Sequence, residues 1–198
     1  MSRLILNKSA LSREQRRLSA FSQFLPSLDL KRRQIMAAKK DQKTALAELR
    51  DTLRTYREEV GRDLPMLGTG RIDCNGLVWV TQVDLRWENL VGIRLPVMGE
   101  VRFGYKEYGY LGMPHWVDRL VILMREVLEL RVKEQIFERR LRLLEEAQRK
   151  TTQRLNLLDK VLIPQARANI KKINLFLADQ ERAEVVRAKI AKAKREGA

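Results

Sequence analysis

Apolar residues in this chain recur at intervals of three and four over two long stretches, and the rhythm stops in the middle. In the first stretch Leu28, Ile35, Ala38, Gln42, Ala45 and Leu49 keep the spacing, and Leu46, Leu49, Leu53, Tyr56 and Val60 continue it after a shift of phase. In the second, Phe137, Leu141, Leu144, Gln148, Thr151, Leu155, Leu158 and Leu162 alternate steps of four and three, and Ile170, Ile173 and Leu177 resume after Pro164. Such spacing marks helices with a narrow apolar seam at coiled-coil period, not the wide face of a globular helix. The positions between are charged, as in Arg139, Arg140, Arg142, Glu145, Glu146, Arg149 and Lys150, the ordinary solvated side of such a helix. Both flanks are rich in Ala, Leu, Glu, Gln, Lys and Arg, which favour helix.

At 1.5 Å per residue these helices would extend roughly 75 Å and about 100 Å, too long for a compact domain of this mass. Each seam needs a partner, and the nearest is the other. The pattern predicts a mainly α fold: a long antiparallel two-helix coiled coil with a central β-hairpin and short-helix insertion. The expected divisions are residues 1–60 for the N-terminal helix, 61–115 for the middle and 116–198 for the C-terminal helix. Two prolines disturb the scheme. Pro26 in "PSLDLKRRQI" interrupts the first helix, with Ser27 placed to help start a new turn. Pro164 lies inside the second, where the missing N–H and the ring clash cost about 3 kcal/mol and predict a bend.

The middle holds the strand-like text. "GLVWVTQVDLRW" is rich in β-branched and aromatic residues, and "VGIRLPVMGEVRF" is a second candidate, limited by Pro96 to an edge or a strand end. Between them "ENL" is expected to turn the chain, and a Gly/Tyr loop, "GYKEYGYLGMP", follows.

Charge and composition narrow the function. Among 198 residues, 40 Lys and Arg oppose 25 Asp and Glu, a formal net charge of +15. That balance attracts acidic partners: nucleic acid, an anionic membrane face or an acidic protein surface. The single cysteine, Cys74, can form no internal disulfide and suits a reducing cytoplasmic setting. The N-terminal text lacks the apolar core of a signal peptide, and no window approaches the ~20 apolar residues of a membrane span. Catalytic signals are weak. "GTGR" at 68–71 lacks the Walker lysine and reads as a turn. His115 is the only histidine and follows Pro114 at an expected helix start, a structural position, and one His with one Cys builds no soft-ligand metal cluster. "RFGYKEYGYLG" interleaves Arg102 and Lys106 with Phe103, Tyr105, Tyr108 and Tyr110, a loose echo of base-stacking RNA modules. The βαββαβ pattern of those modules is missing, and the alternative is that the rings pack the loop onto the helices or a partner.

The text after Thr151, "TTQRLNLLDKVLIPQARANIKKINLFLADQERAEVVRAKIAK", resembles the closing helix of the D subunit of V-type and archaeal-type ATPases. Arg154, Asn156, Leu158, Val161, Ile163 and Pro164 fit its R-x-N-A-L-E-x-v-x-I-P run. Ile170 and Ile173 fit the following x-I-x-x-I, and Glu181, Arg182, Glu184, Arg187 and Lys189 fit the charged tail. "LDLKRRQIM" is similar to the family's first-helix run at Leu30, Lys31 and Arg33, without its common Gly-His and with "FLPSLDLK" as in some bacterial members. "ENLVGIRLP" is similar to its hairpin segment at Asn89, Gly92 and Pro96. The resemblance implies a central rotor shaft standing in the bore of a hexameric head of A and B subunits. It implies an F subunit on the shaft's side and, beneath the shaft on the membrane ring, the funnel-shaped d or C subunit. It further implies torque for ATP synthesis or for proton or sodium transport, no active site, cofactor or metal, and a cytoplasmic place peripheral to the inner face of the cell membrane. Two other readings remain. One is a basic coiled-coil nucleic-acid-binding protein. The other is an export-apparatus stalk, which is shorter and lacks an insertion such as Gly76–Phe103.

Overall fold

The computed structural model describes residues 4–69, 74–109 and 113–196. The elements are α1 (Lys8–Asp63), a 3-10 turn (Pro65–Thr69), β1 (Val78–Leu90), β2 (Ile93–Tyr105), α2 (Trp116–Leu157), a π-helical turn (Leu158–Leu162) and α3 (Ile163–Glu196). The chain is thus mainly helical, with one small antiparallel two-stranded sheet between the long helices. Contacts group it into two units, residues 1–32 with 150–198, and residues 33–149.

Asn7 caps α1: its Oδ1 accepts from the Ala10 N–H at 2.7 Å, satisfying one of the donors a helix start leaves open. Contrary to the sequence expectation, Pro26 does not interrupt α1, which runs through it unbroken. Pro26 is exposed, so the backbone carbonyl its ring deprives of a partner lies within reach of water. Ser27 starts no new turn; its hydroxyl donates back to the Phe24 carbonyl at 2.8 Å.

Within residues 33–149, α1 and α2 lie antiparallel, joined by Lys39–Glu145 (3.0 Å), Arg50–Glu138 (2.6 Å) and Arg50–Glu134 (2.9 Å). Leu64, Leu77, Val78, Val117, Leu120 and Leu123 form the main core, with Tyr56, Val60, Phe103 and Trp116 packed on it. A second cluster sets Leu95 of β2 between Ile35 of α1 and Leu144 of α2.

The chain does not turn at "ENL". Those residues complete β1, and the two-residue turn is Val91–Gly92, flanked by the Leu90–Ile93 pair. Both turn residues have positive φ, 52° and 80°, the handedness that matches strand twist in a tight hairpin. Gly92 adopts it freely, and Asn89 Oδ1 accepts the Gly92 N–H at 2.9 Å. Pro96 lies mid-strand opposite Trp87. Bonded and non-bonded pairs alternate from Leu90–Ile93, which makes Trp87–Pro96 a non-bonded pair. An N–H at Pro96 would point away from β1, so the ladder loses nothing by its absence. At the other end Gly104 lies under the Trp79 indole, where a Cβ would approach within 2.4 Å of a ring atom.

In the other unit, Ala10, Ile163, Ala166 and Ile173 are buried, and Asn169 Nδ2 donates to Glu14 Oε2 at 3.3 Å. α1 begins at Lys8, shortly before Glu14, whereas α3 runs on from Asn169 to Glu196. Pro164 is preceded by the π turn, in which the Ile163 N–H reaches the Leu158 carbonyl five residues back. The wider turn leaves room for the proline ring against the preceding carbonyls, so the helical run continues. It also inserts one residue into the seam. The phase advances, Ile163 takes the buried position and Leu162 is left half-buried.

Candidate functional site

The sequence-derived seam residues fall as follows. Leu49 and Leu144 are buried; Leu53, Tyr56, Leu141, Leu155, Leu158 and Leu162 are half-buried. Ile136, next to the expected Phe137, is buried as well, and Arg140, expected on the solvated side, is mostly covered. Of the motif residues, Leu30 and Arg33 are exposed and Lys31 is half-buried. Ile163 is buried, whereas Arg154, Asn156, Pro164, Glu181, Arg182 and Arg187 are exposed. Arg182 pairs with Asp179 at 3.6 Å. The structure brings Asn89, Gly92 and Pro96 together in one hairpin; the remaining motif residues form no single cluster.

Two surfaces stand out. The first is the hairpin. Its outer strand turns Trp79, Leu85 and Trp87 to solvent, while β2 sits on the helices. Arg140 ties the two together: Nε donates to Gln42 Oε1 (3.0 Å), Nη1 to the Pro96 carbonyl (3.2 Å), and Nη2 pairs with Glu88 (3.4 Å). These partners lie 98, 44 and 52 residues from Arg140 in sequence, beyond the reach of any local pattern. The second surface is the end of α3, where each residue from Glu181 to Arg195 is exposed. It carries Val185, Val186 and Ile190 among Arg182, Arg187, Lys189, Lys192, Lys194 and Arg195.

Electrostatics reinforce the α1–α2 pairing. The hydrogen bond from Arg50, aided by Arg131 and against the effect of burial, holds the Glu134 carboxyl below the usual glutamate range. The Glu126 carboxylate, then burial, push the Tyr56 phenol up. Among the aromatic-basic loop residues, Phe103 packs on the main core with the Arg125 guanidinium 5.6 Å from its ring centre. Tyr108 donates to Asp118 at 2.7 Å, Tyr105 is exposed, and Tyr110 lies outside the described residues.

His115 is exposed at the rim of a cleft with Tyr108, Met113, Pro114 and Asp118. In "GTGR", Gly70 and Arg71 lie outside the described residues. Among the described residues no three His, Cys, Asp or Glu side chains gather as a metal site, and no helix is long and apolar enough to cross a membrane.

The family model for the ATP synthase D subunit matches residues 10–193. A V-type ATP synthase D subunit from Borreliella burgdorferi is 31% identical over 194 residues, spanning 97% of this chain and 95% of its own. Proteins of the same description from Chlamydia caviae and Chlamydia muridarum are each 30% identical, over 198 and 200 residues. Both alignments span 98% of this chain, and 94% and 96% of those proteins respectively.

Proposed function

Since the chain belongs to the D-subunit family of ATP synthases, we propose that it is the central rotor stalk of a V-type or archaeal-type ATPase. In this reading it transmits torque between the catalytic A/B hexamer and the ion-translocating ring, and is itself non-catalytic. The end of α3 carries the reading. A helix exposed on every side, with apolar residues set among cations, is suited to a surrounding sleeve of partner proteins that covers the first and attracts the second. The F subunit would bind the lower coiled coil and the hairpin, and the funnel-shaped subunit would seat the shaft on the ring. The chain would then be cytoplasmic and reach the inner face of the membrane only through that complex.

Co-expression with the A, B, F and funnel-shaped subunits tests this. The chain is expected to co-purify in a fixed ratio, and omitting it should uncouple ATP hydrolysis from ion movement. A coupled motor assembled without it would overturn the reading. The chain alone should hydrolyse no ATP. Turnover that is abolished by substituting His115 or Arg71 would contradict the non-catalytic role. Replacing the exposed Leu85 and Trp87 of β1 by Ser should weaken binding of the F subunit while leaving the helices folded; undiminished binding removes the hairpin from that interface. The nucleic-acid reading predicts instead tight, strongly salt-dependent DNA or RNA binding.

A further inference from the structure

We propose that the β-hairpin is a detachable arm and that Arg140 is the residue that positions it on the two-helix stem. The arm is bonded within itself: β1 and β2 pair from Val78–Tyr105 to Leu90–Ile93. Its base is anchored by Leu77 and Val78 in the main core. Its outer half is held where Leu95 clusters with Ile35 and Leu144, Leu90 and Ile93 pack beside them, and Arg140 closes over the contact. With its side chain 19% exposed, Arg140 uses all three guanidinium nitrogens there, on Gln42 of α1, Glu88 of β1 and the Pro96 carbonyl of β2. One side chain of α2 thus joins four elements. Only arginine has donors in a planar fork to serve three acceptors in different directions.

The register explains why Pro96 offers that carbonyl. In a non-bonded pair both backbone groups point away from the partner strand, so the oxygen faces Arg140, and proline has no N–H to compete. Gln42 shows why the seat can open. Its Oε1 accepts from Arg140, but its Nε2 is buried with no hydrogen-bond partner. Lifting the arm lets water reach that donor and offsets part of what the contact at Leu95 loses. A two-stranded hairpin alone in water is marginal, so release also loosens its own ladder. The arm therefore behaves as a local opening unit, distinct from the helices beneath it.

Amide hydrogen exchange on the full chain tests this, with Arg140→Ala, Arg140→Lys and Glu88→Gln. Arg140→Ala should raise exchange at residues 86–98 about tenfold or more, with less than threefold change in helix segments 33–39 and 145–149. Arg140→Lys keeps the charge but serves fewer acceptors, and should raise the same amides by a smaller factor. Glu88→Gln, at an exposed residue that does not endanger folding, should raise them about two- to threefold. Unchanged exchange at 86–98 in all three overturns the proposal. An equal rise in hairpin and helix amides also overturns it, because arm and stem would then open together. Should Arg140→Ala fail to fold, the other two variants decide by the same criteria.

Discussion

Val91 holds a left-handed backbone, φ 52°, which a β-branched side chain resists. The tight turn demands positive φ at both central positions, and Gly92 meets the demand without strain while Val91 does not. Val91→Asn should stabilise the hairpin by about 1 kcal/mol, since Asn tolerates that region. Slower amide exchange at residues 86–98 would register the gain, and faster exchange would refute it. Gly104 poses the opposite case. A Cβ there would meet the Trp79 indole at 2.4 Å, so Gly104→Ala should displace the ring and destabilise the hairpin base. Combining it with Trp79→Ala should remove most of the additional loss. If the two changes simply add, the indole is not what Gly104 accommodates.

The helix pair is the next scale. Leu144 is 1% exposed and packs on Ile35 and Leu95, whereas Leu141 is half-buried. Leu144→Ala should cost about 2–5 kcal/mol and Leu141→Ala distinctly less, read from urea unfolding. Across the same pair, Arg50 and Arg131 lower the pKa of Glu134 in the folded chain. A carboxyl with a depressed folded pKa binds protons less readily than in the unfolded chain. Its stabilisation is therefore complete above the ordinary glutamate pKa, about 4.3, and is lost as pH falls through the lower folded value. Glu134→Gln should thus melt below the unsubstituted chain at pH 7, with the gap closing toward pH 3. A gap constant with pH would mean the ion pairs contribute nothing. Tyr56 acts at the alkaline end: its raised pKa gives stability present below the ordinary tyrosine value and lost as pH climbs through the folded one.

At the scale of the whole molecule the excess of 40 basic over 25 acidic residues dominates, and α3 ends in a dense basic run. In the rotor role proposed above, a turning shaft cannot rest on fixed ion pairs that break at each step. Exposed cations can guide it by long-range attraction, screened over about 8 Å at physiological salt. Neutralising Lys189, Lys192, Lys194 and Arg195 to Gln should slow association with the A/B head about tenfold at low salt and flatten the salt dependence of the rate. Turnover of complexes that do assemble should change little. Association unchanged at low salt would defeat the steering idea. Loss of nucleic-acid binding with head assembly intact would favour the rival reading.

Sequence alone determined the helices and the strands. The 3-and-4 spacing of the helices and the β-branched and aromatic enrichment of the strands are local properties, legible from Leu28 to Val60, from Phe137 to Leu177 and from Val78 to Phe103 without knowing what lies across from them. The ordered run from Arg154 to Lys189 carried the family. Local rules failed where a choice depended on neighbours. "ENL" reads as a turn until the ladder shows Glu88 paired with Leu95, and Pro26 reads as a break until its exposure shows that water can serve the freed carbonyl. At Pro164 no local period shows the π turn that precedes the ring and advances the seam by one residue. Arg140 reads as one more solvated charge, because its partners lie in three other elements 44 to 98 residues away. Period fixes which face a residue is on. What that face meets is decided only when distant segments close on one another, and there the hydrogen-bonding needs of Pro96, Gln42 and Glu88 select the one side chain that serves all three.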